Sequence, residues 1–218
     1  MKVFFVFAEI NINFVIQSSL WWNMKQEENP IQDLTEIRQM MEKSSKFLSL
    51  SGLSGVTAGV TALAGYIYIQ WQISSGAETS KLEMALIGSL VLLIAASLSA
   101  YFSFSLSKKK GIPVWGLASK NLLRQFLPSL ITGGLFCVGL YYVDLFHVSA
   151  SATLCFYGLG LISCGNNTFP ETRQLGYIEI FLGLLALVFL DFSLIFWAVG
   201  FGVFHIVFGI ILYLKYDQ

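Results

Sequence analysis

The sequence predicts an all-α, polytopic membrane bundle of six transmembrane helices preceded by an amphipathic cytoplasmic helix. Three observations carry this. Hydrophobic residues fill 56% of the 218 positions and charged residues only 12%, with a mean hydropathy of +0.69; soluble domains carry about 25% charged residues. Six segments, 47–70, 82–106, 126–143, 145–165, 174–190 and 193–214, are long and apolar enough to cross a bilayer, which takes roughly 17 residues or more. Basic residues are also sorted along the chain. Lys108, Lys109, Lys110, Lys120 and Arg124 lie between the second and third spans, whereas the linker "WQISSGAETSK" carries only Lys81.

That asymmetry sets an orientation. With odd-numbered spans running outward, Lys25, Arg38, Lys43, Lys46, Arg173 and Lys215 join the basic loop on the cytoplasmic side, so eleven of the thirteen Lys and Arg residues obey the positive-inside rule. Ala77 and Asp144 are then outside, and Gly111, Asn167 and the C-terminus inside. The expected location is the cytoplasmic (inner) membrane, with both ends of the six-span core in the cytoplasm.

Residues 1–23, "MKVFFVFAEININFVIQSSLWWN", are a doubtful extension. Glu9, Asn11, Asn13 and Gln17 interrupt the apolar run, so a further span would bury four strongly polar groups. A signal peptide fits badly, because the segment has one lysine and no small-x-small site before Met24. A translation start at Met24 is the simplest expectation; an interfacial or spanning segment is the alternative.

Within 24–46 a helix starts at "NPIQ", with Asn29 as N-cap, Pro30 at the first helical position and Gln32 in the capping-box position. Ile31, Leu34, Ile37 and Met41 share one face, and Glu36, Arg38, Glu42 and Lys43 occupy others. Such a helix is an interfacial collar or a docking surface for a cytoplasmic partner. The six-helix domain fills 47–214 and a short cytoplasmic tail 215–218.

In the first span Gly52, Gly55, Gly59 and Ala62 recur at helical spacing, which lets a neighbouring backbone approach closely and predicts a central helix. The loop "SKKKGIPVWGLASKNLLRQF" carries lysines that orientation and anionic lipid explain. Nucleic-acid binding is not expected, since the cluster is short, abuts the membrane and belongs to no recognition fold. Cys137, Cys155 and Cys164 lie inside spans without CxxC or Cys/His spacing and read as small packing residues. No metal or cofactor is implied.

Two spans carry an ionisable residue deep within them. On the fifth, Gly176, Glu179, Gly183 and Ala186 share a face; on the sixth, Ala198, Gly202, His205 and Gly209 do. A short connection around "DFS" makes these spans a tight antiparallel hairpin. Glu179 precedes Asp191 by twelve residues and His205 follows Ser193 by twelve, so both lie about 18–20 Å from the turn at 1.5 Å per residue. A lone ionisable group in hydrocarbon is costly and normally faces a partner or cavity; Glu179 and His205 are therefore expected to face each other, as a structural pair or as part of a proton path. Spans three and four read as a degenerate copy of this hairpin at an offset of 47 residues. The offset places Asp144 on Asp191, Gly139 on Ala186, Ser151 on Ala198 and Cys155 on Gly202, while Thr132 and Gly158 stand where Glu179 and His205 do.

The stretches "EIRQMMEKSSKFLSLSGLSGVTAG", "LPSLITGGLFCVGL", "FYGLGL", "LGYIEIFLGLLAL" and "FWAVGFGVFHIVFGIILYLKY" together resemble an uncharacterised six-span integral membrane protein family of Bacteroidota. The resemblance covers about residues 33–216, leaves out the upstream segment, and implies fold and location but no chemistry. More loosely, "LGLLAL" and "GFGVFHIVFG" are similar to acid-resistance membrane proteins built from short two-helix repeats.

For function, the sequence has no HExxH, GxSxG or double-aspartate arrangement, so an enzyme is not expected. Two classes stay open. One is a non-enzymatic scaffold or sensor, in contact with the lipid bilayer, with a cytoplasmic regulatory protein as candidate partner and a homo-oligomer as candidate assembly. The other is a small transporter or proton-linked carrier using Glu179 and His205.

Overall fold

The structure, a computed structural model, describes residues 51–76, 80–111, 115–165 and 168–217. The expected helix over 24–46 and the segment 1–23 lie outside the described residues. Among those described, the chain is helical throughout, without strands: α1 (Gly52–Ser74), α2 (Lys81–Lys109), α3 (Leu117–Tyr142), α4 (Ser149–Cys164), α5 (Pro170–Val188) and a composite last span, Leu190–Tyr216. The last span opens with a 3-10 turn at Leu190–Phe192, continues as α6 (Ser193–Trp197), widens into a π-helical segment at Ala198–Phe204 and ends as α7 (His205–Tyr216).

Five of these helices are long and apolar enough to cross a membrane: α1, α2, α3, α4 with its preceding 3-10 turn, and the last span. α5 is not among them, because Glu171, Arg173 and Glu179 all fall within its 19 residues. α2 begins at a capping box between Ser80 and Glu83. Its 29 residues amount to about 44 Å, so its last turn, with Lys108 and Lys109, extends past a hydrocarbon core of about 30 Å. α3 begins nine residues ahead of its expected start at 126. Lys120 and Arg124 end the apolar count there, but both side chains are exposed, so their charge does not interrupt the helix.

Glycine-lined seams position the interior. α1 packs on the π segment and on α7, and α4 packs on α5. A Cβ at Gly55 would lie 2.9 Å from the Gly209 Cα, and one at Gly209 would lie 2.5 Å from the Val56 nitrogen. Between α4 and α5, Gly158 and Gly176 each face the other's carbonyl oxygen, at 2.6 and 2.8 Å from where a Cβ would stand. The Ser151 hydroxyl donates across that seam to the Gly183 carbonyl at 2.6 Å. Leu154, Leu182 and Ala186 form the core where α4, α5 and the last span meet, with Phe196, Trp197, Phe201 and Phe204 around them.

Both hairpins turn through a 3-10 segment, at Phe146–Val148 and at Leu190–Phe192. Of the corresponding positions, Ser151 and Ala198 are both buried, as are Gly158 and His205, whereas Ala186 is fully buried and Gly139 opens onto empty space.

The two ends of the bundle hold separate polar contacts. At one end Lys81 pairs with Asp144. At the other, Lys215 reaches Glu171 at 2.6 Å, Lys110 donates to the Tyr216 carbonyl at 2.6 Å, and Phe169 stacks on Tyr216 at 4.0 Å. Asp217 accepts from the Gly52 N–H at 2.7 Å and the Ser51 hydroxyl at 3.1 Å. α1 has no side-chain cap of its own N-cap residue, so the carboxylate that follows the last span satisfies the first backbone donor of the first helix.

Candidate functional site

α5 turns Gly176, Glu179, Gly183 and Ala186 to one buried face, and the last span buries Ala198, Gly202, His205 and Gly209. The four glycines among them do not line the contact between these two helices. Gly176 and Gly183 seat α5 on α4, where Gly183 meets Cys155; Gly202 and Gly209 seat the last span on α1, where Gly202 meets Leu63. The ionisable residues close the remaining gap.

Glu179 is fully buried and His205 is 5% exposed. His205 Nδ1 lies 3.3 Å from Glu179 Oε1 and 3.0 Å from the Gly200 carbonyl oxygen. On the other side of the ring, Nε2 shares a 2.8 Å hydrogen bond with the Tyr157 hydroxyl of α4. Three segments of chain thus meet on one imidazole. The Nδ1 hydrogen can serve only one acceptor well, and it is aligned with Gly200. Neither carboxyl oxygen of Glu179 therefore has a hydrogen-bond partner among the described residues. The 3.3 Å approach is an electrostatic contact rather than an aligned bond.

The position of the histidine explains its use of Gly200. Gly200 is five residues before His205, and five is the hydrogen-bond spacing of the π-helix that runs from Ala198 to Phe204. The ring donates to a carbonyl inside the widened turn. Gly200 must also be glycine, since a Cβ there would stand 2.5 Å from Glu179 Oε2 and 2.7 Å from Leu154 Cδ2. Aromatic rings wall the cluster: Phe201 lies 5.7 Å from His205 and 4.9 Å from Tyr157, and Phe126 lies 5.5 Å from Tyr157.

One acid, one base and one phenol in this order can hold a proton and move it between them. Carboxylate with imidazolium, and carboxylic acid with imidazole, are both neutral overall, so the pair occupies a low-dielectric interior without net charge. Among the described residues no cluster of His, Cys, Asp and Glu is large enough to hold a metal ion. Cys137, Cys155 and Cys164 are free thiols, the last of them buried.

The sequence reading did not include Tyr157 or Gly200. Tyr157 had a usable signal, because tyrosine concentrates at the membrane interfaces and this one falls in the middle of the segment 145–165. Gly200 had none, as the π segment reads simply as glycine and aromatic residues. Compared with family models, curated proteins and solved structures, the chain matches none.

Proposed function

We propose a non-enzymatic, six-span integral membrane protein of the inner membrane that acts as a scaffold or sensor with a cytoplasmic docking face for a regulatory protein. The observation that carries this reading is the closure of the Glu179–His205–Tyr157 cluster. Its acid is fully buried, walled by aromatic rings and by Leu154, which suits a device that ties helices together better than a site that must admit a solute. The bond from Asp217 to Gly52 supports the sixth crossing. With the start of α1 and the end of the last span joined at one end of the bundle, an even number of crossings, α5 among them despite its charges, is the reading this bond favours.

A double-mutant cycle tests the reading. Glu179→Leu or His205→Phe alone strands a polar group in low dielectric and should destabilise by about 1–3 kcal/mol; the double variant should recover part of that loss. Additive losses in thermal unfolding in nanodiscs would sink the structural role. A proton-linked carrier is the second reading, favoured by the two unpartnered oxygens of Glu179. A Glu179-dependent collapse of an imposed pH gradient in proteoliposomes would put that reading in place of the first.

A further inference from the structure

We infer that Glu179 and His205 form a proton-binding site whose occupancy sets the helical register of Ala198–Phe204. The inference rests on the sensor reading and names its stimulus. Three observations converge: a fully buried carboxyl with two unpartnered oxygens, a histidine Nδ1 poised 3.0 Å from the Gly200 carbonyl and 3.3 Å from the carboxyl, and a π-helical segment containing that carbonyl.

With the proton on Glu179 the carboxyl is a weak acceptor. The Nδ1 hydrogen stays on Gly200, as observed, and supports the wide turn. When the proton leaves to solvent, the pair is left with one negative charge, which is costly in this interior unless it is hydrogen-bonded, and the carboxylate becomes the stronger acceptor, because charge-assisted hydrogen bonds are roughly twice as strong as neutral ones. A small rotation of the ring then moves the Nδ1 hydrogen from Gly200 to Glu179 Oε1. The Gly200 carbonyl, released, favours the ordinary i−4 helical bond, and the extra residue of the π segment is expelled.

The geometry also says which part moves. α7 is held to α1 by the close approach at Gly209, so the change of register falls on α6. Expelling one residue from a helix of 3.6 residues per turn rotates it by about 100°. Trp197 ends α6 and lies 5.2 Å from Phe201, whose ring touches both His205 and Tyr157.

Few other groups compete for the proton. From α4 the site faces Tyr157, with Cys155 and Cys164 on the same helix; α5 contributes Glu179. α1 has only Tyr66 and Tyr68 to titrate. Gly202 of the π segment meets Leu63 of α1, which puts these tyrosines about one to one and a half turns further along α1. α3 presents Phe126 to Tyr157, while its Arg124 side chain is exposed.

The test is fluorine NMR of the full chain in nanodiscs with fluorotryptophan, the Trp197 signal being assigned by its loss in Trp197→Phe. As the pH is taken from acid to alkaline, the Trp197 signal should pass between two states while that of Trp71 stays constant. Glu179→Gln should remove the transition, and Tyr157→Phe should move its midpoint without removing it. A constant Trp197 signal in the folded wild type overturns the inference, as does an unchanged transition in Glu179→Gln. Should that variant not fold, wild-type amide exchange corrected for intrinsic pH dependence decides. A pH-dependent change in protection confined to 198–204 supports the site, and uniform exchange overturns it. Coupling in the thermal cycle together with a constant Trp197 signal would leave the structural reading standing and remove only this one.

Discussion

Replacing Tyr157 by Phe removes one hydroxyl and leaves His205 Nε2 facing a ring edge at the position of a 2.8 Å bond. Intramembrane hydrogen bonds contribute about 0.6 kcal/mol on average and up to about 1.7, so Tyr157→Phe should lower stability by about 1 kcal/mol, read as a change in thermal unfolding. Gly200→Ala should cost more, about 1–3 kcal/mol from overpacking, because its Cβ would meet Glu179 Oε2 at 2.5 Å. A Gly200→Ala protein as stable as wild type would show that Glu179 can withdraw from the last span. The same residues mark how far sequence could see. Glu179 and His205 stand out because ionisable groups are rare in apolar runs, and matched distance from a turn is enough to pair them. Tyr157 comes from a third helix, and no spacing within one hairpin can find it.

Helix seams respond to glycine according to what each one faces. A Cβ at Gly209 would meet the Val56 nitrogen at 2.5 Å and the Gly52 oxygen at 2.6 Å, both backbone atoms that cannot move aside, whereas Gly88 opens onto empty space. Gly209→Ala should therefore destabilise by about 1–3 kcal/mol, and Gly88→Ala should be neutral or slightly stabilising, since alanine is the better helix former. Equal melting temperatures for the two variants would contradict the α1–α7 seam. Which glycines line a face was legible from spacing; which helix each face meets was not, because α5 and the last span both bring small faces and each uses its own on a different neighbour. The turn at Asp144 adds an electrostatic test. Asp144 has φ +61°, a conformation that Asn also tolerates, so Asp144→Asn removes only the charge while Asp144→Ala adds backbone strain and should melt lower. A hydrogen bond from Lys81, and then the lysine charge, hold the Asp144 carboxyl below its ordinary range. Its contribution is present above the unfolded value of about 3.9 and is lost as pH falls through the lower folded value. The small stability difference between wild type and Asp144→Asn should accordingly vanish in strong acid; a difference that persists there would assign the effect to the backbone.

At the scale of the whole molecule, the polar contacts divide the bundle into two ends, and the number of crossings decides which loops share a side. The Asp217 bond to Gly52, the Lys215 pair with Glu171 and the Lys110 bond to Tyr216 gather the start of α1, the end of α2, the start of α5 and the end of the last span at one end. Lys81 and Asp144 meet at the other. Hydropathy alone passes over α5 because it counts Glu171, Arg173 and Glu179 against it, although Glu179 turns inward and Glu171 lies in the first turn. The end rich in Lys108, Lys109, Lys110, Lys120, Arg124, Arg173 and Lys215 should be cytoplasmic, because positively charged loops resist translocation. Single cysteines at Lys109 and at Val143, in a chain with Cys137, Cys155 and Cys164 replaced, test orientation and crossing number together. In intact cells an impermeant thiol reagent should label Val143→Cys and leave Lys109→Cys unlabelled until the membrane is opened. A third cysteine at Asp217 should behave as Lys109→Cys does. Labelling of Asp217→Cys from outside with Lys109→Cys still protected would mean an odd number of crossings and would remove α5 from the membrane. Labelling of Lys109→Cys and Asp217→Cys together from outside would keep six crossings but invert the protein, placing its basic end, and any partner that end recruits, on the opposite side.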